Sequence, residues 1–221
     1  MKKLIVIIII LLVIFLGMMI YKNNQRLNNV NANEVNEIEQ YISKIYLWKE
    51  VTKEALPSFN DINEASDIWI WEALKKDLEE YELTYEQIEN AKEKLFGKNL
   101  KKILPKEGNE YFKYNQEQNK YYSTEIDLDE KDDKFLLNKI EKNQNEYIIE
   151  IVEYIEDYSK EENSICIENI NEEEVQTVNI NEDILNRKEI IKNNINKFNK
   201  KKIYLEQENQ NLIVTKIENV N

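Results

Sequence analysis

Histidine is absent from all 221 residues, and one cysteine, Cys166, stands alone. Together these absences remove Ser-His-Asp and Cys-His nucleophile systems, the commonest general base, and the usual zinc and iron ligand sets. A single thiol allows no internal disulfide. Of three glycines only Gly97 and Gly108 lie beyond residue 21, which excludes a glycine-rich cradle for phosphate. Positive charge is scarce as well. Residues 22–221 hold 28 of the 30 Lys and Arg but all 43 Asp and Glu, a net charge of −15. An acidic surface repels phosphate backbones and anionic headgroups, which argues against nucleic-acid binding and against flat adhesion to a membrane.

What is present begins with an apolar run of 18 residues, Leu4 to Tyr21, directly after Met1-Lys2-Lys3. As a helix it would span roughly 27 Å, close to the about 30 Å of a hydrocarbon core. A cleavable signal peptide has an apolar region of about 7–15 residues and small residues at the cut. Here the run is longer and ends Gly17-Met18-Met19-Ile20-Tyr21-Lys22, with no A-x-A-like pair. A lipoprotein needs a cysteine near the end of the run, and Cys166 lies far from it. The expectation is an uncleaved, single-pass signal-anchor in the cell membrane, with cleavage as the alternative. Residues 1–3 then form a cytoplasmic tail, 4–21 a transmembrane helix, 22–32 a tether, and 33–221 an extracytoplasmic domain. Lys2, Lys3 and the terminal amine stand against Lys22 and Arg26, so the charge bias is small. A short tail before a long domain sets the N-terminus inside.

Thirty-one Asn, with abundant Ile, Lys and Glu, have the flavour of an AT-rich genome and carry little message singly. Thirteen Tyr, three Trp and many Ile can bury a core, so order is expected despite the charge. Val35, Ile38, Ile42, Ile45 and Tyr46 recur at helical spacing and predict a helix from Asn33 to about Val51. Pro57 places a loop at 56–61. A second helix follows Ser66, with Ile70, Trp71, Leu74 and Leu78 inward. A third starts at the capping-box spacing Thr84-x-x-Gln87 and ends at Gly97, with one more turn over Leu100–Leu104.

Beyond Gly108 the pattern turns to strands. Hairpins are predicted for 111–114 with Tyr121-Tyr122, for Phe135–Glu141 with Tyr147–Glu156, and for Ile203–Leu205 with Leu212–Val214. Tyr147, Ile149, Ile151 and Ile155 share one face of their strand, with Glu150 and Glu156 on the other. One or two strands fall within 164–180, and Asn181 caps a helix with Ile184, Ile191, Ile195 and Phe198 on its stripe. The expected fold is α+β: the membrane helix, then three helices, then an antiparallel meander with one inserted helix near the C-terminus, in a single domain.

Five side chains are candidates for an interaction surface: Trp69, Tyr111, Tyr114, Tyr121 and Tyr122. Trp69 and Trp71 point about 160° apart on a helix, which rules out a shared cage; Trp71 belongs to the core, and Trp69 is either packed or partly exposed. The tyrosines either recognise a partner or pair across strands. The acidic run Asp127–Asp133 fails as an EF-hand, with Asp132 where glycine and Asn138 where glutamate should stand, and reads as a solvated loop. Glu161-Glu162 and Glu172-Glu173-Glu174 read as turns. With no basic neighbour in sequence, Cys166 is not a reactive thiol. No catalytic, cofactor or metal residues are assigned.

The stretches Asp61–Ser66, Trp69–Ala73, Leu83–Asn90, Leu95–Gly97 and Pro105–Gly108 resemble a group of uncharacterised, membrane-anchored exported proteins of AT-rich Gram-positive bacteria. The resemblance is confined to residues 61–108 and implies export and anchoring, with no particular activity. The order of helices before a curved sheet is similar to cone-shaped folds of the nuclear-transport-factor-2 kind, which implies a fold and not a function. The leading expectation is a non-enzymatic module engaging another envelope protein. The alternatives are a small-ligand or polymer binder, using a pocket between helices and sheet, and a hydrolase with paired carboxylates about 5–10 Å apart.

Overall fold

The computed structural model describes residues 30–78, 82–104, 106–108, 112–123, 130–160, 162–181 and 183–220. In chain order these form α1 (Ala32–Ile45), α2 (Lys49–Thr52), α3 (Asp67–Leu78), β1 (Glu82–Thr84), α4 (Tyr85–Phe96), β2 (Phe112–Asn115), β3 (Lys120–Ser123), β4 (Lys131–Asn143), β5 (Glu146–Asp157), β6 (Ser164–Glu168), β7 (Glu174–Asn179), α5 (Ile184–Asn193), β8 (Asn199–Glu208) and β9 (Asn211–Val220). The fold is α+β.

β5 is rich in β-branched and aromatic residues, without glycine or proline, and the main sheet is built around it. β4 takes the whole of one edge, from Asn143↔Glu146 to Lys131↔Asp157. The other edge is shared: β8 pairs along Glu146–Glu153 and β6 along Ile155–Asp157. The sheet therefore forks, continuing to β9 on one branch and β7 on the other. Pleating sends Tyr147, Ile149 and Ile151 into the main core with Ile38, Ile42 and Ile45 of α1, Trp69 and Leu74 of α3, and Leu95 of α4. The even positions Val152 and Tyr154 enter a second, smaller core under α5 with Ile167, Ile191 and Phe198. Both faces of this strand are covered. β1, β3 and β2 form a separate three-stranded antiparallel sheet.

Local signals set the helix starts. Asn31 Oδ1 accepts the N–H groups of Asn33 and Glu34 at 2.9 and 3.0 Å, and Glu34 Oε2 accepts that of Asn31 at 2.9 Å. Thr84 and Gln87 form the same reciprocal cap on α4, which ends at Gly97 with φ +69°. Tyr41 fastens three elements: its hydroxyl donates to Leu95 O and accepts from Val214 N–H, both at 2.8 Å.

The expected order of elements is corrected in several places. Among the described residues five helices and nine strands interleave: β1 precedes α4 and pairs with β3, so strands do not wait for the helices to end. The sheet forks at β5 instead of meandering. No helix among the described residues is long and apolar enough to cross a membrane, and the expected membrane helix at 4–21 lies outside them. α1 stops at Ile45, not near Val51, because side chains of α3 take its last carbonyls. Trp69 Nε1 donates to Ile45 O at 3.1 Å and Lys76 Nζ to Tyr46 O at 2.8 Å. Leu100–Leu104 is not helical; Asn63 Oδ1 accepts the Lys101 and Lys102 N–H groups instead. α5 is capped by Asp183 rather than Asn181, and Ile184 is exposed. Lys131, Asp132 and Asp133 begin a strand rather than a solvated loop, while 127–129 lie outside the described residues.

Candidate functional site

Between the end of α1 and Leu56 the chain crosses the sheet without regular structure, apart from the single turn α2. Tyr46 is extended, and its hydroxyl donates to Lys134 O at 3.0 Å. Its ring packs on Phe135 with centroids 5.2 Å apart. Leu47 N–H donates to Ala55 O at 2.9 Å, closing the segment on itself. Lys53, at φ 69°, turns it back. This segment roofs the odd-numbered face of β5 just beyond the point where Ile151 leaves the main core.

Under the roof lie two adjoining pockets, together called the cleft, with each pocket one of its lobes. The larger has a volume of about 250 Å³ and is lined by Tyr46, Glu54, Asp133, Glu153 and Lys201 among others. The smaller, about 100 Å³, has Trp48, Lys131, Ile155 and Glu172 in its wall. Lys49 and Asp133 line both, and the Lys49 N–H donates to Asp133 Oδ2 at 2.7 Å between them. Trp48 is 46% exposed on the rim, whereas Trp69 and Trp71 are buried.

Glu153 is the group that sets this cleft apart. It occupies an odd, inward position of β5, opposite Phe135 on β4 and Asn199 on β8. It is 2% exposed, and its Oε2 has no hydrogen-bond partner. Burial pushes its carboxyl up to about 7; Lys201 draws it down, and Asp133 and Glu54 push it higher. Burial also raises Asp133, against the Lys49 N–H that favours its ionised form. Tyr46 is held well above the usual phenol range by burial and by the acids beneath it. Lys201 is itself buried; its ammonium donates to Leu56 O and lies 3.7 Å from Glu54 Oε2. A hydrolytic pair needs one acid kept neutral and the other kept ionised. Here burial lifts both carboxyls, with the Lys49 N–H holding Asp133 back.

A second buried acidic group, Asp157 and Glu168, sits further along the same edge. Lys131 Nζ lies 3.7 Å from Asp157 Oδ2, 4.0 Å from Glu168 Oε2 and 3.0 Å from Glu172 Oε2, and Lys160 pairs with Glu168. These acids are ion-paired within the fold, although Asp157 Oδ2 and Glu168 Oε2, like Glu153 Oε2, accept no hydrogen bond. Among the described residues no group of three or more acids or thiols is arranged to hold a metal ion. Cys166 is buried, and that burial raises its thiol.

The five expected surface residues are not brought together at this cleft. Trp69 is fully buried between Phe59 and Phe96 and bonded to Ile45 O, so it is not a surface residue. Tyr121 is also fully buried, its ring stacked on Phe112 and against Trp71. Tyr114 faces Tyr121 across the strands and donates to Asn119 Oδ1 at 2.6 Å, while Tyr122 pairs with Gln118. Tyr114 and Tyr122 keep partial exposure, and Tyr111 lies outside the described residues. Of the cleft residues, the sequence places Tyr46 on a helix stripe and Asp133 in a solvated acidic run, and assigns no site role to Trp48, Glu153 or Lys201. One signal was available: Glu153 falls in the odd series Tyr147, Ile149, Ile151, Ile155, where every other member is apolar. Comparison of the chain with protein-family models, curated proteins and solved structures finds no match.

Proposed function

We propose that the chain is a membrane-anchored, extracytoplasmic binding module that takes a small ligand or a polymer segment into the cleft beneath residues 46–56. One observation carries this reading: a buried carboxylate with an unpartnered oxygen, Glu153, lines the larger lobe, and the adjoining smaller lobe carries the exposed Trp48 on its rim. Leaving a buried polar atom unpaired is costly, and a ligand that supplies the missing partner recovers that cost on binding. Anchoring rests on the apolar run 4–21. The test has two parts. Proteinase added to intact protoplasts should remove the chain beyond about Lys22 and leave a small membrane-bound stub; full protection until lysis refutes the external location. Thermal-shift screening of the full chain in detergent against amino acids, peptides and glycans should give stabilisation that Trp48→Ala or Glu153→Gln diminishes; none across the panel refutes ligand binding.

A second reading, a module engaging another envelope protein, is supported by the exposed Ile180, Ile184 and Leu185 at the start of α5. Crosslinking in membranes that captures only the chain itself and lipid would remove that support.

A further inference from the structure

Resting on the binding reading above, we infer that the larger lobe is a seat for a protonated primary amine, with Glu153 Oε2 and the Asp133 carboxylate as its acceptors. Three carboxylates, Glu54, Asp133 and Glu153, line one small cavity, and the deepest of them, Glu153, has an oxygen without a donor. The missing partner is therefore a hydrogen-bond donor, and a positive one is favoured because both acceptors are acids. An ammonium brings three donors on one compact centre and needs no fixed coordination sphere. A bare divalent cation asks for six or more oxygens in a defined coordination sphere, and among the described residues no group of three or more acids is arranged to hold one. A guanidinium needs a planar, bidentate acceptor, whereas Asp133 already has one oxygen engaged by the Lys49 N–H. Lys49 and Lys201 are engaged by Ile170 O and Leu56 O, while Lys53 in the same wall offers positive charge to an anionic group of the ligand, so a free amino acid or the amino terminus of a peptide also fits.

The groups facing Glu153 are Tyr46 and Lys49 from the roof, Glu54 behind them, Asp133 on β4, and Lys201 on β8. Since Glu153 titrates near neutrality, an ammonium that binds its ionised form displaces a proton when the pH is at or below that value.

The experiment is calorimetry on the full chain in detergent micelles, with n-propylammonium chloride, glycylglycine and N-acetyl-glycylglycine as probes. The Ala55 methyl signal of ¹³C-alanine-labelled protein reports on the lobe wall. Both free amines should bind and shift Ala55, while the acetylated peptide should not. Affinity should rise about tenfold from pH 6 to pH 8, with about half a proton released per ligand at pH 7. Binding of propylammonium equal to glycylglycine identifies a free small amine as sufficient; a clear preference for glycylglycine identifies a chain end. Glu153→Gln, with its melting confirming that it folds, should lose at least tenfold in affinity together with the proton release. If amines bind with no pH dependence and Glu153→Gln changes nothing, the amine seat is refuted. If only the acetylated peptide shifts Ala55, the amine seat is refuted while the cleft-binding reading stands. If no probe shifts Ala55, the amine seat is refuted, and the cleft-binding reading falls with it only if the wider panel of amino acids, peptides and glycans also gives no stabilisation.

Discussion

Glu153→Gln should gain stability relative to the parent as pH rises. In the unfolded chain this carboxyl titrates near 4.5; in the folded protein burial holds it at about 7. Between those values the folded state binds more protons than the unfolded state, so the unfolding free energy falls as pH increases. The group is at its most favourable below 4.5, and the stability is lost progressively until the pH passes about 7. The full cost is about 3 kcal/mol. Glutamine keeps the shape and does not ionise in this range. The difference between variant and parent should therefore widen by about 2.5 kcal/mol between pH 5 and pH 8.5, or about 5–10 °C in melting temperature for a chain of this size. Any fixed cost of burying the amide shifts the variant's curve without changing that widening. The assay is thermal melting of both proteins in detergent across the pH range, without ligand. Parallel curves from pH 5 to pH 8.5 would refute the reasoning, for they would mean that Glu153 ionises as freely inside the fold as outside it.

Tyr41→Phe should cost about 1–3 kcal/mol in chemical denaturation, because the Val214 N–H is left buried without its acceptor; an unchanged midpoint would mean that this bridge between helices and sheet is dispensable. Gly108→Ala should destabilise more than Gly97→Ala. Both have positive φ, but the added methyl meets backbone, Phe112 O at 1.9 Å, in the first case, and the movable tip of Ile213 at 2.6 Å in the second. Gly97→Ala should cost about 1–2 kcal/mol, and a reversed order of melting temperatures would contradict the geometry. Ile42→Asp places a charge at a position with no exposure and should cost about 3–5 kcal/mol by loss of cooperative melting; unchanged melting would place α1 outside the core.

Signals contained within a few residues were readable in advance. The cap of α4 needs only Thr84 and Gln87, its end only Gly97, and the inward face of β5 only alternation. What escaped depends on residues distant in sequence. Ile45 ends its helix because Trp69 and Lys76, on α3, occupy the carbonyls there. Angular separation correctly divided Trp69 from Trp71, yet α3 is covered nearly all round, with Trp69, Ile70, Trp71, Ala73 and Leu74 all buried, so pointing away from Trp71 did not mean facing water. The cleft was illegible as a whole because its walls come from the roof, β4, β5 and β8. Its one local trace is an acid in an apolar register.

The forked edge of β5 bears on when this protein can fold. Glu146–Glu153 finds its second neighbour only in Asn199–Glu206, about fifty residues later, and the Tyr41 hydroxyl completes its bonds only with Val214. A ribosome or a translocation channel delivers the chain from the N-terminus, so the central strand emerges with one side open and must wait for the last hairpin. Until then its apolar surface and unpaired amides are exposed to neighbours. A chain stopped short of β8 therefore cannot retain a smaller version of the same fold; it leaves an adhesive strand edge, and rapid delivery of the final segment becomes a condition for reaching the native state.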